Sequence, residues 1–200
     1  MPKIRLALSI LLSIYLVILG CSEKQQRKPK VIDGDTFVMP SGEKVRLLGI
    51  DTPEKGEPYA ERATNLLEKL IDDGKIKLKY DKQKYDKYGR LLAYVYVDTI
   101  LVNRVLLDSG LAVAYFFHRN SAHFNDFVKA QKSARLKSIN IWSKPPKDTC
   151  EYYLATKSSF RFHRPTCRSV KGKDINTLRK FKTRDEALDE GLSPCRNCRP

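Results

Sequence analysis

Five cysteines in 200 residues are too few to staple a chain of this length into a disulfide scaffold. No internal repeat is visible, and beyond the first twenty residues there is no long hydrophobic run, which excludes a multi-pass membrane protein. Acidic residues are in deficit. The 23 Asp and Glu stand against 38 Lys and Arg, a formal net charge of +15. A surface that basic repels itself and gains most from a polyanion, such as nucleic acid or an anionic membrane. Charge alone also fits a merely basic, soluble protein. What is present in quantity is apolar residue, at 42%, which excludes a wholly disordered chain. The length suits one domain of ordinary size and a small second one.

The single hydrophobic run lies at the start. Lys3 and Arg5 precede a nearly uninterrupted apolar stretch to Leu19, the pattern of a secretory signal rather than a spanning helix. It ends in ILGC (18–21), which resembles the bacterial lipobox. That resemblance implies a lipoprotein signal peptide over 1–20, acylation of Cys21 and an envelope location on the extracytoplasmic side. A plain signal-anchor with an incidental Cys21 is the other reading. Residues 21–30 are polar and aperiodic, a flexible tether.

From Val31 the chain turns to short strands and turn signals. Ile76, Leu78 and Tyr80 alternate with lysines, as a half-buried strand requires, and LLAYVYV (91–97) reads as a central strand. Ala60, Ala63, Leu67, Leu70 and Ile71 recur at helical spacing within 57–73, before Gly74. A short helix spans 103–109, closed by Gly110, and Ser121 is a candidate cap for a longer one. Five short strands with three helices fit a small closed barrel, because no strand–helix–strand alternation recurs. Pro145 and Pro146 mark the clearest boundary, placing a core domain over 31–143, a linker over 144–151 and a small module over 152–200. In that module Thr183 and Glu186 form a capping box opening a helix that runs to Gly191.

The informative polar residues are Asp35, Arg46, Asp51, Glu54 and Arg90, all beside glycines and turns. Clustered carboxylate and carbonyl oxygens suit a hard divalent cation such as calcium. Arginine's planar fork suits the paired oxygens of a phosphodiester and the charge that builds on them in the transition state. A further carboxylate can position or deprotonate water. Together these are the parts for metal-assisted phosphodiester hydrolysis. Taken singly they are equally turn residues and surface arginines.

The segments IDGDT (32–36), VRLLGIDTPE (45–54) and DKYGRLLAY (86–94) resemble, in order and spacing, the signature segments of the staphylococcal nuclease family, and SGLA (109–112) and NIWS (140–143) are similar to its later landmarks. The resemblance covers 31–143. It implies a five-stranded OB-fold barrel with three helices that cleaves DNA and RNA with calcium, leaving 3′-phosphate ends. On it, Asp35, Asp51 and the Thr52 carbonyl ligate calcium, and Glu54 orients or activates the attacking water. Arg46 and Arg90 clamp the scissile phosphate, and Asp33 supports the site from behind. Lys87, Tyr88 and Tyr115 contact substrate. Two departures stand out: KGEPY (55–59) is shorter than the family's lysine-rich loop at the substrate entrance, and Phe117 replaces a tyrosine. The interleaved lysines and tyrosines of 79–88 form a candidate groove for a charged backbone and stacked bases, or a solvated hairpin. His118 and His123 read as surface or helix-start residues.

In the C-terminal module, HRPTC (163–167) and PCRNC (194–198) give H-x3-C followed by C-x2-C, two ligand pairs at tetrahedral zinc spacing through His163, Cys167, Cys195 and Cys198. The segment 162–200 resembles the metal-binding domain of the Ada methyltransferase, whose ligands are cysteines, so His163 enters by position and Cys150 competes with it. In an oxidising compartment the same cysteines have disulfides open to them. Residues 151–200 carry 12 Lys and Arg against 6 Asp and Glu, a net +6 that suits holding polyanion near the barrel. The expectation is a monomeric, lipid-anchored nuclease acting on DNA and RNA, with no protein partner. The competing reading is a non-catalytic OB-fold module that only binds nucleic acid.

Overall fold

The computed structural model describes residues 28–72, 74–117, 121–144 and 150–200. The signal peptide, Cys21, His118 and the boundary prolines lie outside these residues. No helix among the described residues is long and apolar enough to cross a membrane.

The barrel region contains β1 (Lys30–Asp33), β2 (Thr36–Val38), β3 (Lys44–Leu47), β5 (Ile76–Lys79) and β6 (Leu91–Val97), hydrogen-bonded in the order β1-β2-β3-β6-β5. β3 and β6 run parallel, the other neighbours antiparallel, and β7 (Ile100–Leu101) adds to β6. β4 (Ile50–Asp51) leaves this sheet to pair with β8 (Val113–Ala114). The expected OB-type sheet with three helices is present, but the closed barrel is not: among the described residues the ladder remains open. The reason is local. Gly49, at φ +75°, turns the chain between β3 and β4 and carries Ile50 and Asp51 off the main sheet, and a Cβ there would lie 2.8 Å from the Phe127 ring.

LLAYVYV is buried along nearly its whole length, as a central strand must be. Against it pack α1 (Ala60–Ile71), α2 (Val102–Asp108) and α3 (Phe124–Leu136). α1 buries Ala60, Ala63, Leu67 and Ile71, the spacing read from the sequence. Asn103 on α2 is fully buried and knits strands to helix. Its carbonyl oxygen accepts from Val95 N–H at 2.8 Å, and its amide donates to the carbonyls of Leu48 and Ala93. The expected Ser121 cap is absent. Ser121 Oγ instead bonds Tyr94 and Asp81, and α3 starts after His123 without a side-chain cap. His123 itself is half-buried, stacked on Phe127.

The C-terminal module comprises β9 (Tyr153–Thr156), β10 (Arg161–Phe162), β11 (Leu178–Phe181), α4 (Arg184–Asp189) and β12 (Ser193–Pro194). β10 and β12 pair in parallel, β9 and β11 antiparallel. The capping box is real: Thr183 Oγ1 accepts from Glu186 N–H at 3.1 Å, and the Glu186 carboxylate accepts from Lys182 N–H at 2.7 Å, one residue before the cap. The module packs on α3 through one apolar cluster that includes Ala134, Trp142, Tyr153, Phe162 and Leu188. Lys132 and Arg135 fix the same contact by pairing with Asp189 at 2.6 Å each.

Asn103→Ala removes three hydrogen bonds and leaves the Val95 N–H buried without a partner, which at about 1 kcal/mol per bond predicts a loss of roughly 3 kcal/mol or more. Equilibrium denaturation in urea checks it. A loss under about 1 kcal/mol refutes the role given to this side chain.

Candidate active site and metal centre

Gly34 and Gly49 flank the elements that carry the site. The Asp35 turn needs Gly34 for space rather than for an unusual backbone angle: a Cβ would lie 2.6 Å from the Ala63 Cβ and 2.8 Å from Thr52 Oγ1. α1 therefore presses directly on the turn and seats Asp35 against Thr52. One Asp35 oxygen accepts from Thr52 N–H at 3.1 Å and from Thr52 Oγ1 at 3.2 Å. The other meets Arg46 Nε at 2.9 Å and Thr36 Oγ1 at 3.0 Å. Asp33 accepts from the Asp35 N–H at 3.1 Å. Burial pushes the Asp35 carboxyl above the usual carboxylate range, against the opposing pull of Arg46.

Arg46 joins the two aspartates. Its Nη2 lies 3.1 Å from Asp51, and Nη1 donates to the carbonyls of Leu47 and Ile50. Asp35, Arg46, Asp51 and Thr52 thus form one contiguous cluster. Arg46 and Arg90 line a common cavity of about 450 Å³, with Lys87, Tyr88, Tyr115 and Phe117 around it. Arg90 is aimed by Asp86, which accepts from its Nε at 2.7 Å and from its backbone N–H at 3.0 Å. Burial opposes it, but these bonds hold the Asp86 carboxyl below the usual range. Lys87 and Arg90 lie over the Tyr88 ring, which is 71% exposed and open to a base. Tyr115 is less open, with the Arg161 guanidinium 4.2 Å above its ring and Phe117 at its edge.

Glu54 reaches the cluster through a residue that sequence reasoning did not single out. Arg196, from the C-x2-C segment, pairs with Glu54 and grips Asp51 with two bonds, Nη2 at 2.6 Å and Nε at 3.1 Å. Its Nη2 also lies 3.3 Å from the Thr52 carbonyl. Arg161 adds a contact to Asp51 at 3.4 Å. The available signal was the module's excess of basic charge, not a motif.

His163, Cys167, Cys195 and Cys198 offer four ligand atoms all within 4.8 Å of one another. A tetrahedron with ~2.3 Å arms has edges of about 3.8 Å, and the Cys167 Sγ to His163 Nδ1 distance is 3.4 Å. Burial lowers the His163 pKa, favouring the neutral imidazole that ligates metal. Burial and the neighbouring cysteines push the Cys198 thiol up to about 12, a crowding that a bound cation relieves. The donor set fits zinc. None of the four described cysteines is in a disulfide, and Cys150 stands outside the cluster with its sulfur 3.7 Å from Arg164. The oxygen set of Asp35, Asp51 and the Thr52 carbonyl likewise fits a hard cation.

The family model of staphylococcal nuclease homologues matches residues 44–144, and that of the metal-binding domain of Ada matches residues 141–200. A thermonuclease of Staphylococcus intermedius is 39% identical over 124 residues, covering 58% of this chain and 74% of that protein. A thermonuclease of Staphylococcus hyicus is 36% identical over 133 residues, covering 62% and 79%. Endonuclease YncB of Bacillus subtilis is 43% identical over 126 residues, covering 58% of this chain and 60% of that protein. The protein belongs to the staphylococcal nuclease homologue family. It is an enzyme of the calcium-dependent nuclease class, with an Ada-type metal-binding module at its C-terminal end.

Asp86 contributes stability that is present above its unfolded value of 3.8 and lost as pH falls through its lower folded-state pKa. Asp86→Asn is therefore expected to melt below the wild type at neutral pH, with the gap closing below pH 3.8. Thermal melts across that range check it, and a gap that is constant with pH refutes it.

Proposed function

We propose that this protein is a lipid-anchored, extracytoplasmic endonuclease that hydrolyses phosphodiester bonds of DNA and RNA and leaves 3′-phosphate ends. The observation that carries the hydrolytic reading is Arg46, tied to both Asp35 and Asp51 and lining one cavity together with Arg90. Asp35, Asp51 and the Thr52 carbonyl would hold calcium, which when bound supplies positive charge to the phosphate and makes nearby water easier to deprotonate. Arg46 and Arg90 grip the non-bridging oxygens and stabilise the extra charge as the fifth oxygen approaches. Glu54 orients the attacking water and takes its proton, while the bond to the 5′ oxygen breaks and that oxygen takes up a proton from solvent to leave as a hydroxyl. Tyr88 and Lys87 offer a ring and a charge to the neighbouring nucleotide.

The envelope location rests on the ILGC sequence ending at Cys21, and dual or triple acylation there gives a stable membrane anchor to a single chain. A monomeric state is part of the same proposal. Zinc at His163, Cys167, Cys195 and Cys198 supplies folding energy to a module with a small core.

Single-stranded DNA incubated with the full chain is expected to be cut in calcium and left intact with chelator. Arg90→Ala is expected to lower turnover about 10²–10³-fold in a protein that stays folded, with a melting temperature lowered no more than in Asp86→Asn. Binding without cleavage in calcium overturns the enzymatic reading and leaves the non-catalytic module in its place. Cleavage is also expected to weaken steeply as salt rises, because phosphate contacts release counterions. A flat profile from low to physiological salt removes the basic groove from the account.

A further inference from the structure

Every oxygen of the Asp51 carboxylate is taken by a guanidinium. One meets Arg46 at 3.1 Å and Arg196 at 2.6 Å, and the other meets Arg196 at 3.1 Å and Arg161 at 3.4 Å. Arg196 also touches the Thr52 carbonyl and pairs with Glu54. One side chain of the C-terminal module thus occupies two of the three groups assigned to calcium and the carboxylate assigned to water. In charge, Asp35, Asp51 and Glu54 are balanced by Arg46, Arg161 and Arg196. The site neutralises itself without an ion.

The placement of Arg196 is built rather than incidental. It lies between Cys195 and Cys198, so ligation of both sulfurs fixes the turn that carries it. β12 leads into that turn and pairs with β10, which carries Arg161. Arg161 Nη1 donates to the Pro194 carbonyl at 2.9 Å, binding the two arginine-bearing segments together. Arg199 anchors the far side on Glu57 at 2.9 Å.

We propose that Arg196 is a tethered counter-cation of the catalytic carboxylates, displaced from Asp51 when calcium enters and then available to the substrate's phosphate. This rests on the calcium reading above. A divalent cation and the Arg196 guanidinium compete for the negative charge of Asp51 and for the Thr52 carbonyl, so each weakens the other's hold there. The fork that spans the two oxygens of a carboxylate also spans two non-bridging oxygens of a phosphodiester. Once calcium neutralises Asp51, the guanidinium keeps only Glu54 as a carboxylate partner and stands beside a cleft of about 740 Å³ between barrel and module, walled by Asp51, Thr52 and Arg196. The incoming phosphate replaces the lost carboxylate. The C-terminal module thereby contributes a substrate-binding group to the barrel's reaction, and the zinc site sets where that group stands.

The test is calorimetric titration of calcium into the full chain without nucleic acid, alongside KM on single-stranded DNA at saturating calcium, for wild type, Arg196→Ala and Arg196→Lys. Zinc content and melting temperature confirm that each variant keeps its module. Arg196→Ala is expected to bind calcium about 5- to 10-fold more tightly and to raise KM several-fold. Arg196→Lys, which keeps charge but not the fork, is expected to fall between, and it carries the test alone if the alanine variant does not fold. Calcium affinity unchanged or weakened in the variants overturns the proposal. Tighter calcium with an unchanged KM overturns its phosphate half. A wild-type chain that binds no calcium instead sinks the calcium reading itself, a result the variants do not produce.

Discussion

The structure turns on one half-buried carboxylate and the charges that meet it. Asp51, 12% exposed at its side chain, sits at the edge of the barrel where β4 has left the main sheet. A charge taken out of water costs several kcal/mol unless it is met by an opposite charge in good geometry. Three guanidinium groups meet it, one from the barrel and two from the C-terminal module. The same desolvation that makes these partners necessary makes the site a strong receiver for a divalent ion, since any cation there acts in a poor dielectric. Calcium binding and the packing of the module are two solutions to one electrostatic problem.

Asp35 and Asp51 solve that problem differently, and the difference divides their labour. Asp35 is held by Thr52 and Thr36 as well as Arg46, on a turn wedged against α1. Apart from Arg46, its partners are short side chains and a backbone amide, which do not swing away. Asp51 is held by long arginine side chains, two of which arrive from over a hundred residues downstream. The first carboxylate is therefore a fixed post and the second an exchangeable one. A site that must bind an ion and release product benefits from that asymmetry, because rigidity supplies geometry and the mobile partner lowers the cost of turnover.

Local pattern made much of this legible in advance. The buried run 91–97 announced a central strand by its β-branched and aromatic content, and the α1 spacing named the buried face before any coordinates. Asp33, Asp35, Arg46 and Asp51 come together in one cluster, Asp35 on the turn after β1 and the other three on short strands. The failures share a physical cause. Ser121 has the chemistry of a cap, yet its hydroxyl found Tyr94 and Asp81, partners brought near only by the tertiary fold. The need for Gly34 is a helix pressing on a turn, not a backbone angle. The barrel's open ladder depends on where Gly49 sends β4. Arg196 was the least legible: a C-x2-C spacing speaks of metal and says nothing about the residue between the sulfurs, whose partner Asp51 is 145 positions away.

That last case bears on why so small a module is retained beside a barrel that carries the chemistry. Its own apolar cluster is completed by Ala134 and Trp142 from the barrel side, so it does not bury its core without α3. A metal held by the four candidate ligands would add the folding energy that so little apolar surface cannot. Both devices would be unnecessary if the module had only to be a compact bead on a linker. They become intelligible if its task is positional: a guanidinium must be delivered to a half-buried carboxylate on another element. Long arginine side chains lose that placement on a loose loop. Stapling the turn at Cys195 and Cys198, bracing it through Arg161 on β10 and docking the whole on α3 removes the slack. The zinc-type site, on this argument, is part of the active site's scaffolding although no ligand of it touches the catalytic carboxylates.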